Sequence, residues 1–157
     1  MTVYKVDGIG TRKDGSGGEV VNKGSAEGFI RLMLKPGESC ARGDVMAFDF
    51  AATEPALGYG NHCIKATATA LSDACIGIAT EAVTVGASEE DKPVLIQVAG
   101  LCDFATINTG SATDGAFGIA DANSDVVDVG ASTVTPYLCA IVKKASGIVY
   151  LLNPYNL

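Results

Sequence analysis

Apolar and polar residues alternate along most of the chain beyond residue 28. Residues 28–34 (GFIRLML) place Ile30, Leu32 and Leu34 on one face, and residues 45–50 (VMAFDF) alternate in the same way. A period of two indicates a β-strand, because successive side chains of a strand point to opposite faces. The same pattern predicts further strands at residues 62–70, 74–79, 82–86, 93–100, 102–107, 116–120, 126–129, 137–143 and 147–152.

The spacing of these strands predicts the fold class. Turn residues recur roughly every 8–12 positions, as is typical of all-β folds. Helix signals are poor, and residues 87–93 (ASEEDKP) predict one short turn at most, with Ser88 as a cap and Pro93 beyond it. The 19 glycines and the low aromatic content, 6%, suit short strands and tight turns. We therefore predict a single all-β domain, either a compact β-barrel or β-tulip or a sandwich of two similar β-units.

Residues 1–28 differ in composition from the rest of the chain. They are rich in Gly, Ser and charged residues and lack apolar periodicity. Alone, such a segment buries too little apolar surface to offset the entropy lost on ordering. We predict an N-terminal arm over residues 1–28 that is extended, mobile or ordered only on a partner, and a β domain over residues 29–157.

An internal repeat lies within the β domain. Residues 77–88 (GIATEAVTVGAS) resemble residues 118–132 (GIADANSDVVDVGAS), and each copy is followed by a proline and an apolar strand. The repeat predicts two equivalent β-units, residues 77–107 and 118–152, packed together because neither could bury its apolar face alone. In such units Gly77 would match Gly118, and Gly86 would match Gly130.

The charge and the apolar run lengths of the chain argue against nucleic-acid and membrane partners. The net charge is −7, and all three arginines lie in the first third of the chain. An acidic body repels nucleic-acid phosphates, so we expect no direct nucleic-acid partner. No apolar run approaches the ~20 residues that cross a bilayer, and the first residues lack the apolar core of a secretion signal. We expect no membrane association and synthesis in a cytoplasm.

The five cysteines and the one histidine are not spaced as a metal site or a catalytic Cys–His pair would require. The cysteines contain no CxxC pair, and zinc sites need clustered Cys and His ligands. We predict five reduced, unbridged thiols, no metal and no cofactor. His62 and Cys63 are adjacent on a predicted strand and therefore point to opposite faces, so we interpret His62 as a surface or loop residue and Cys63 as a small buried one.

Three further segments could be functional. The tripeptide Arg42-Gly43-Asp44 would be an adhesion ligand in an extracellular protein, but it also fits a turn in which Gly43 supplies conformational freedom and Asp44 binds the local backbone. Residues 87–92 and 121–128 are acidic, and the second lacks the spacing of a calcium loop. We interpret both as solvated turns. The sequence predicts no catalytic residue.

Several pieces of the chain together resemble a known family. Residues 40–48 (CARGDVMAF), 77–86 (GIATEAVTVG), 96–100 (IQVAG) and 148–154 (IVYLLNP) are similar to the small head-decoration, or capsid cement, proteins of tailed bacteriophages. The likeness covers about residues 36–153 and consists of short strands, glycines and turn positions.

The resemblance implies a non-enzymatic structural protein of the virion, made in the bacterial host cytoplasm and bound to the outside of the capsid. It implies the major capsid protein as partner and a homo-oligomer, with a trimer favoured. The alternatives are a biotinyl/lipoyl-like β carrier module and a β-sandwich adhesin that uses Arg42-Gly43-Asp44. Our candidate capsid contacts are the basic residues of the arm and the adjoining strands: Lys5, Arg12, Lys13, Lys23, Arg31 and Arg42.

Overall fold

The computed structural model describes residues 11–13, 19–21, 27–49, 61–66, 75–129 and 138–152. These residues form strands and turns, with one 3₁₀ turn at Lys144–Ser146, so the all-β prediction is confirmed. The strands are β1 (Thr11–Lys13), β2 (Glu19–Val21), β3 (Gly28–Leu34), β4 (Ser39–Cys40), β5 (Val45–Phe48), β6 (His62–Lys65), β7 (Cys75–Ala79), β8 (Val83–Thr84), β9 (Lys92–Cys102), β10 (Phe117–Ala120), β11 (Val126–Asp128), β12 (Cys139–Lys143) and β13 (Ile148–Leu151).

Five strands close into a β-barrel. Their order is β9-β3-β6-β5-β7, and β7 then returns to pair with β9. The longest contact is the antiparallel ladder between β3 and β9, which runs from Gly28 opposite Ala99 to Leu34 opposite Lys92. Closing the sheet leaves these strands without a free edge for most of their length.

The barrel interior is filled by the alternating residues that the sequence placed on one face of each strand. Leu32 and Leu34 of β3 are buried there with Met46 of β5. The opposite face of β5 is also buried, because Val45 and Ala47 belong to a second core. Both faces of β5 are therefore covered, one by the barrel and one by a second layer of strands.

The second layer of strands is hydrogen-bonded to the barrel through the end of β9. Residues 100–102 of β9 pair with β13, and the sheet continues through β12 and β10 to β11. Its inward side chains, among them Cys139, Ile141 and Val149, share the second core with Val45 and Ala47. The molecule is thus a barrel with an extra sheet packed against one side.

One local expectation was wrong. Residues 102–107 were expected to form a strand, but β9 ends at Cys102. The next backbone groups bind separate segments: Ala105 N–H donates to Gly147 and Thr106 N–H to Gly43. The short turn expected within residues 87–93 is present, since Glu89 N–H donates to the Gly86 carbonyl and Gly86 N–H donates to the Glu89 carboxylate at 2.5 Å. Lys92 and Pro93 already belong to β9.

The repeat is reflected in part of the strand pairing. β7 pairs antiparallel with β9, and β10 pairs antiparallel with β12. The strands between them differ, because β8 pairs with β4 whereas β11 pairs with β10. Gly130 lies outside the described residues, and the superposition of the two units stays a prediction.

Part of the predicted arm is described. β1 and β2 pair antiparallel, with Arg12 opposite Val20. The rest of residues 1–26 lies outside the described part of the chain, so the arm's boundary and its ordering on a partner stay predictions.

Among the described glycines, Gly77 is the one where an added Cβ would come nearest to another atom. A Cβ there would lie 2.0 Å from the carbonyl oxygen of Gln97. We expect Gly77→Ala to lower the free energy of unfolding by about 3 kcal/mol, because the backbone of β9 must move to make room. Gly110→Ala is the control, since its Cβ would meet only Asn108 Oδ1, at 3.5 Å. Chemical denaturation measures both, and equal midpoints would contradict close packing at Gly77.

Candidate interaction surface

The one histidine of the chain is a structural group. His62 is 3% exposed at the start of β6, and its Nε2 lies 2.7 Å from Asp91 Oδ2. The expectation of a surface or loop histidine was therefore wrong, because Asp91, which is distant in sequence, gives the buried ring a partner. Directly after β5, Asp49 N–H donates to the His62 carbonyl, and the Asp49 carboxylate pairs with Lys35.

The thiols are free, as predicted, and four of the five are buried. Burial, together with the nearby Cys40 thiol, raises the pKa of Cys63 to about 12. Burial, and then the nearby Cys102 thiol, likewise raises the pKa of Cys139 to about 12. Because the thiolate is the nucleophile and the metal ligand, these thiols behave as small apolar core residues.

Arg42-Gly43-Asp44 is a turn whose backbone is tied into the fold. Gly43 has φ +98°, and a Cβ there would lie 2.6 Å from the carbonyl oxygen of Phe104. Asp44 is 7% exposed, and its carboxylate accepts a hydrogen bond from Ala41 N–H at 2.9 Å. The turn interpretation therefore fits, and the Asp44 carboxylate is held by its own backbone instead of projecting into solvent.

The acidic segment 121–128 is more than a solvated turn. Asp121 Oδ1 accepts hydrogen bonds from the N–H groups of Asn123 and Asp125, and buried Ser124 donates its hydroxyl to the Ala66 carbonyl. Burial raises the pKa of Asp121, but these bonds and one from Asn108 outweigh it and lower the pKa below its usual range. Burial, followed by the charge of Asp121, raises the pKa of Asp125.

The main apolar feature of the surface is a row of side chains across four strands, which we name the apolar row. Cross-strand register places Leu101 opposite Tyr150, Tyr150 opposite Ala140, and Ala140 opposite Phe117. Directly opposed residues share a face of the sheet. Leu101 is 45% exposed, Tyr150 40% and Phe117 48%. Val142, at the irregularity between Ile141 and Lys143, is exposed as well, so the described part of the second sheet presents partly exposed apolar side chains.

A groove of about 360 Å³ lies at one end of the apolar row. Leu101 belongs to both, and the groove's other walls include Phe29, Phe104, Arg42, Glu27 and Asp103. The Arg42 guanidinium lies 4.6 Å from the centre of the Phe104 ring, a cation–π contact. Among the described residues, none of the ion pairs involves Arg42.

The structure brings one of the six candidate capsid contacts into this region. Arg42 lines the groove, and Arg31 is exposed on β3, two residues from Phe29. Arg12 and Lys13 lie on β1, and Lys5 and Lys23 lie outside the described residues. Sequence analysis missed the apolar row. The sequence did contain a signal for the apolar row. Residues 137–143 and 147–152 are apolar on both faces of their strands, and only one face of each strand can pack against the core.

The described residues include no group of three or more His, Cys, Asp and Glu that could hold a metal ion. None of the helices in the described part of the chain is long and apolar enough to cross a membrane. No family model, curated protein or solved structure matches the sequence or fold of this chain.

The buried thiols predict how stability changes with pH. The pKa of Cys63 and of Cys139 is about 12 in the fold, against an ordinary value of 9.0. Between pH 9 and 12 the unfolded chain therefore loses these protons while the folded chain keeps them, which favours unfolding. We expect the free energy of unfolding to fall across this range. The fall should be shallower in a Cys63→Ala, Cys139→Ala double variant, measured by denaturation at each pH, and identical slopes would contradict the raised pKa values.

Proposed function

We propose that this chain is a non-enzymatic structural protein that binds the outside of a phage capsid and stabilises the shell. The observation that carries a binding role is the apolar row, whose large apolar side chains are 40–48% exposed on hydrogen-bonded strands. Exposed apolar patches of this kind mark protein–protein contacts. The choice of a capsid as the partner rests on the resemblance of residues 36–153 to head-decoration proteins.

The positions of the reactive side chains support a structural role. His62 is buried against Asp91, and the thiols of Cys63 and Cys139 are held protonated inside the two cores. The Asp121 carboxylate accepts hydrogen bonds from backbone N–H groups of its own turn. Each of these groups already stabilises the fold, and none of them projects into the groove.

Capsid stabilisation follows from binding several subunits at once. A clamp that touches neighbouring copies of the major capsid protein gains its full binding energy only on the assembled lattice. The basic residues of the arm and Arg31 are the proposed contacts. The rest of the body carries most of the acidic excess and would repel an acidic surface.

The adhesin alternative is weakened by the position of Asp44. A receptor that recognises Arg-Gly-Asp must reach the aspartate, whereas the Asp44 carboxylate is buried and accepts a bond from Ala41 N–H. Removing it from that bond would also disturb the turn that begins β5.

Capsid binding can be tested by deleting residues 2–24. We expect the full chain to co-sediment saturably with capsid particles purified without it, and the truncated chain to lose that binding. The truncated chain should keep the melting temperature of the β domain, because the barrel and second sheet lie beyond the deletion. The matched control is Lys143→Gln, which neutralises an exposed lysine outside the arm and should bind normally.

Normal occupancy by the truncated chain would show that the arm is dispensable for capsid binding. If the full chain itself did not bind the particles, the proposed function would be wrong.

A further inference from the structure

The apolar row and the groove form one continuous outward surface, joined at Leu101, which we name the apolar face. We infer that the apolar face of one copy packs against the apolar face of a second copy, related by a two-fold axis. This pairing does not rest on the proposed capsid role, and it differs from the trimer that the family resemblance implies.

The exposed apolar area is large enough to form the centre of such a contact. Phe29 is 47% exposed, Phe117 48% and Tyr150 40%. Aromatic side chains bury about 150–250 Å² each, so these three leave roughly 200–340 Å² in water. Leu101 and Val142 add to that area. A standard interface covers about 800 Å² on each partner, with an apolar centre and a polar rim.

The groove carries charges of both signs. Arg42 lines it together with Glu27 and Asp103, and all three are exposed. Two copies related by a two-fold axis can therefore place Arg42 of each copy against a carboxylate of the other. A surface that carries both signs can complement itself, which is the condition for a two-fold contact. In that contact Arg42 faces Asp103 of the second copy.

The strand pairing fixes how the copies meet. The apolar row crosses β9, β13, β12 and β10, which are all hydrogen-bonded to neighbours. The outer edge of β11 is also occupied, since Val126 N–H donates to Thr106 and Asp128 N–H to Ser111. A partner at the row must therefore pack face to face instead of adding a strand, and twisted sheets pack in this way about 10 Å apart.

The oligomeric state of the full chain tests the pairing. Sedimentation velocity from about 1 to 200 μM in 0.15 M salt should show a dimer of the 16.0 kDa chain. Tyr150→Ser and Phe117→Ser should each raise the dimer dissociation constant at least tenfold. Both side chains are more than a third exposed, so melting temperatures should change little. A monomer at every concentration, a trimer, or a dimer indifferent to both substitutions would overturn the pairing.

Charge reversal supplies an independent test of the groove. Arg42→Asp and Asp103→Arg, made in separate chains, should each weaken self-pairing, because each puts like charges opposite one another. Mixing the two chains restores both opposite-charge contacts, so a mixed dimer should form where neither chain pairs alone. The matched control is Glu90→Arg, a reversal of an exposed acid in the loop before β9, far from Leu101 along the strand.

Failure of the mixed chains to pair would show that the groove is not in the contact and that the pairing as stated is wrong. The capsid assay separates the two proposals. A dimer that ignores capsids would refute only the proposed function, and a capsid-binding monomer would refute only the pairing.

Discussion

The close contact between Gly77 and the backbone of Gln97 is the constraint on which the rest of the structure depends. β7 closes the barrel by pairing with β9 through Ile78 and Ala79, and a Cβ at the adjoining Gly77 would overlap the Gln97 carbonyl. β9 continues beyond this pairing to Cys102. Residues 100–102 then pair with β13, and the second sheet with its apolar row is built on that pairing. The candidate surface is therefore positioned by a backbone contact inside the barrel wall.

Most of the fold could be predicted from the sequence because strands are defined by local alternation. β5 shows why the sequence did not predict how the strands are arranged into a barrel and a second sheet. Alternation separates Met46 from Val45 and Ala47, but it does not say that one face lines a barrel and the other a second core. The failure at residues 102–107 has a similar origin. Those residues look like a strand locally, yet their backbone groups bind Gly147 and Gly43, which are remote in sequence.

The candidate site was harder to predict, because exposure depends on contacts between distant segments. Charge and glycine content pointed to the arm, Arg31 and Arg42, and among the described residues of that set Arg42 lines the groove. Phe117 and Tyr150 lie on strands that are apolar on both sides, so no periodicity distinguishes their outward face from the inward one. The prediction for His62 erred in the opposite direction. A polar side chain was expected at the surface, but the His62 ring is buried because Asp91 gives it a hydrogen-bond partner.

The closed edges and the open face together limit what the molecule can bind. Free strand edges invite open-ended association, but the edges of β9, β10 and β11 are taken up by neighbouring strands or by residues 106–111. The second sheet therefore offers its exposed apolar side chains, with charges of both signs at one end, instead of a strand edge. Contact through such a face ends once the face is covered, because the covered pair presents no second copy of it. An assembly built this way stays finite.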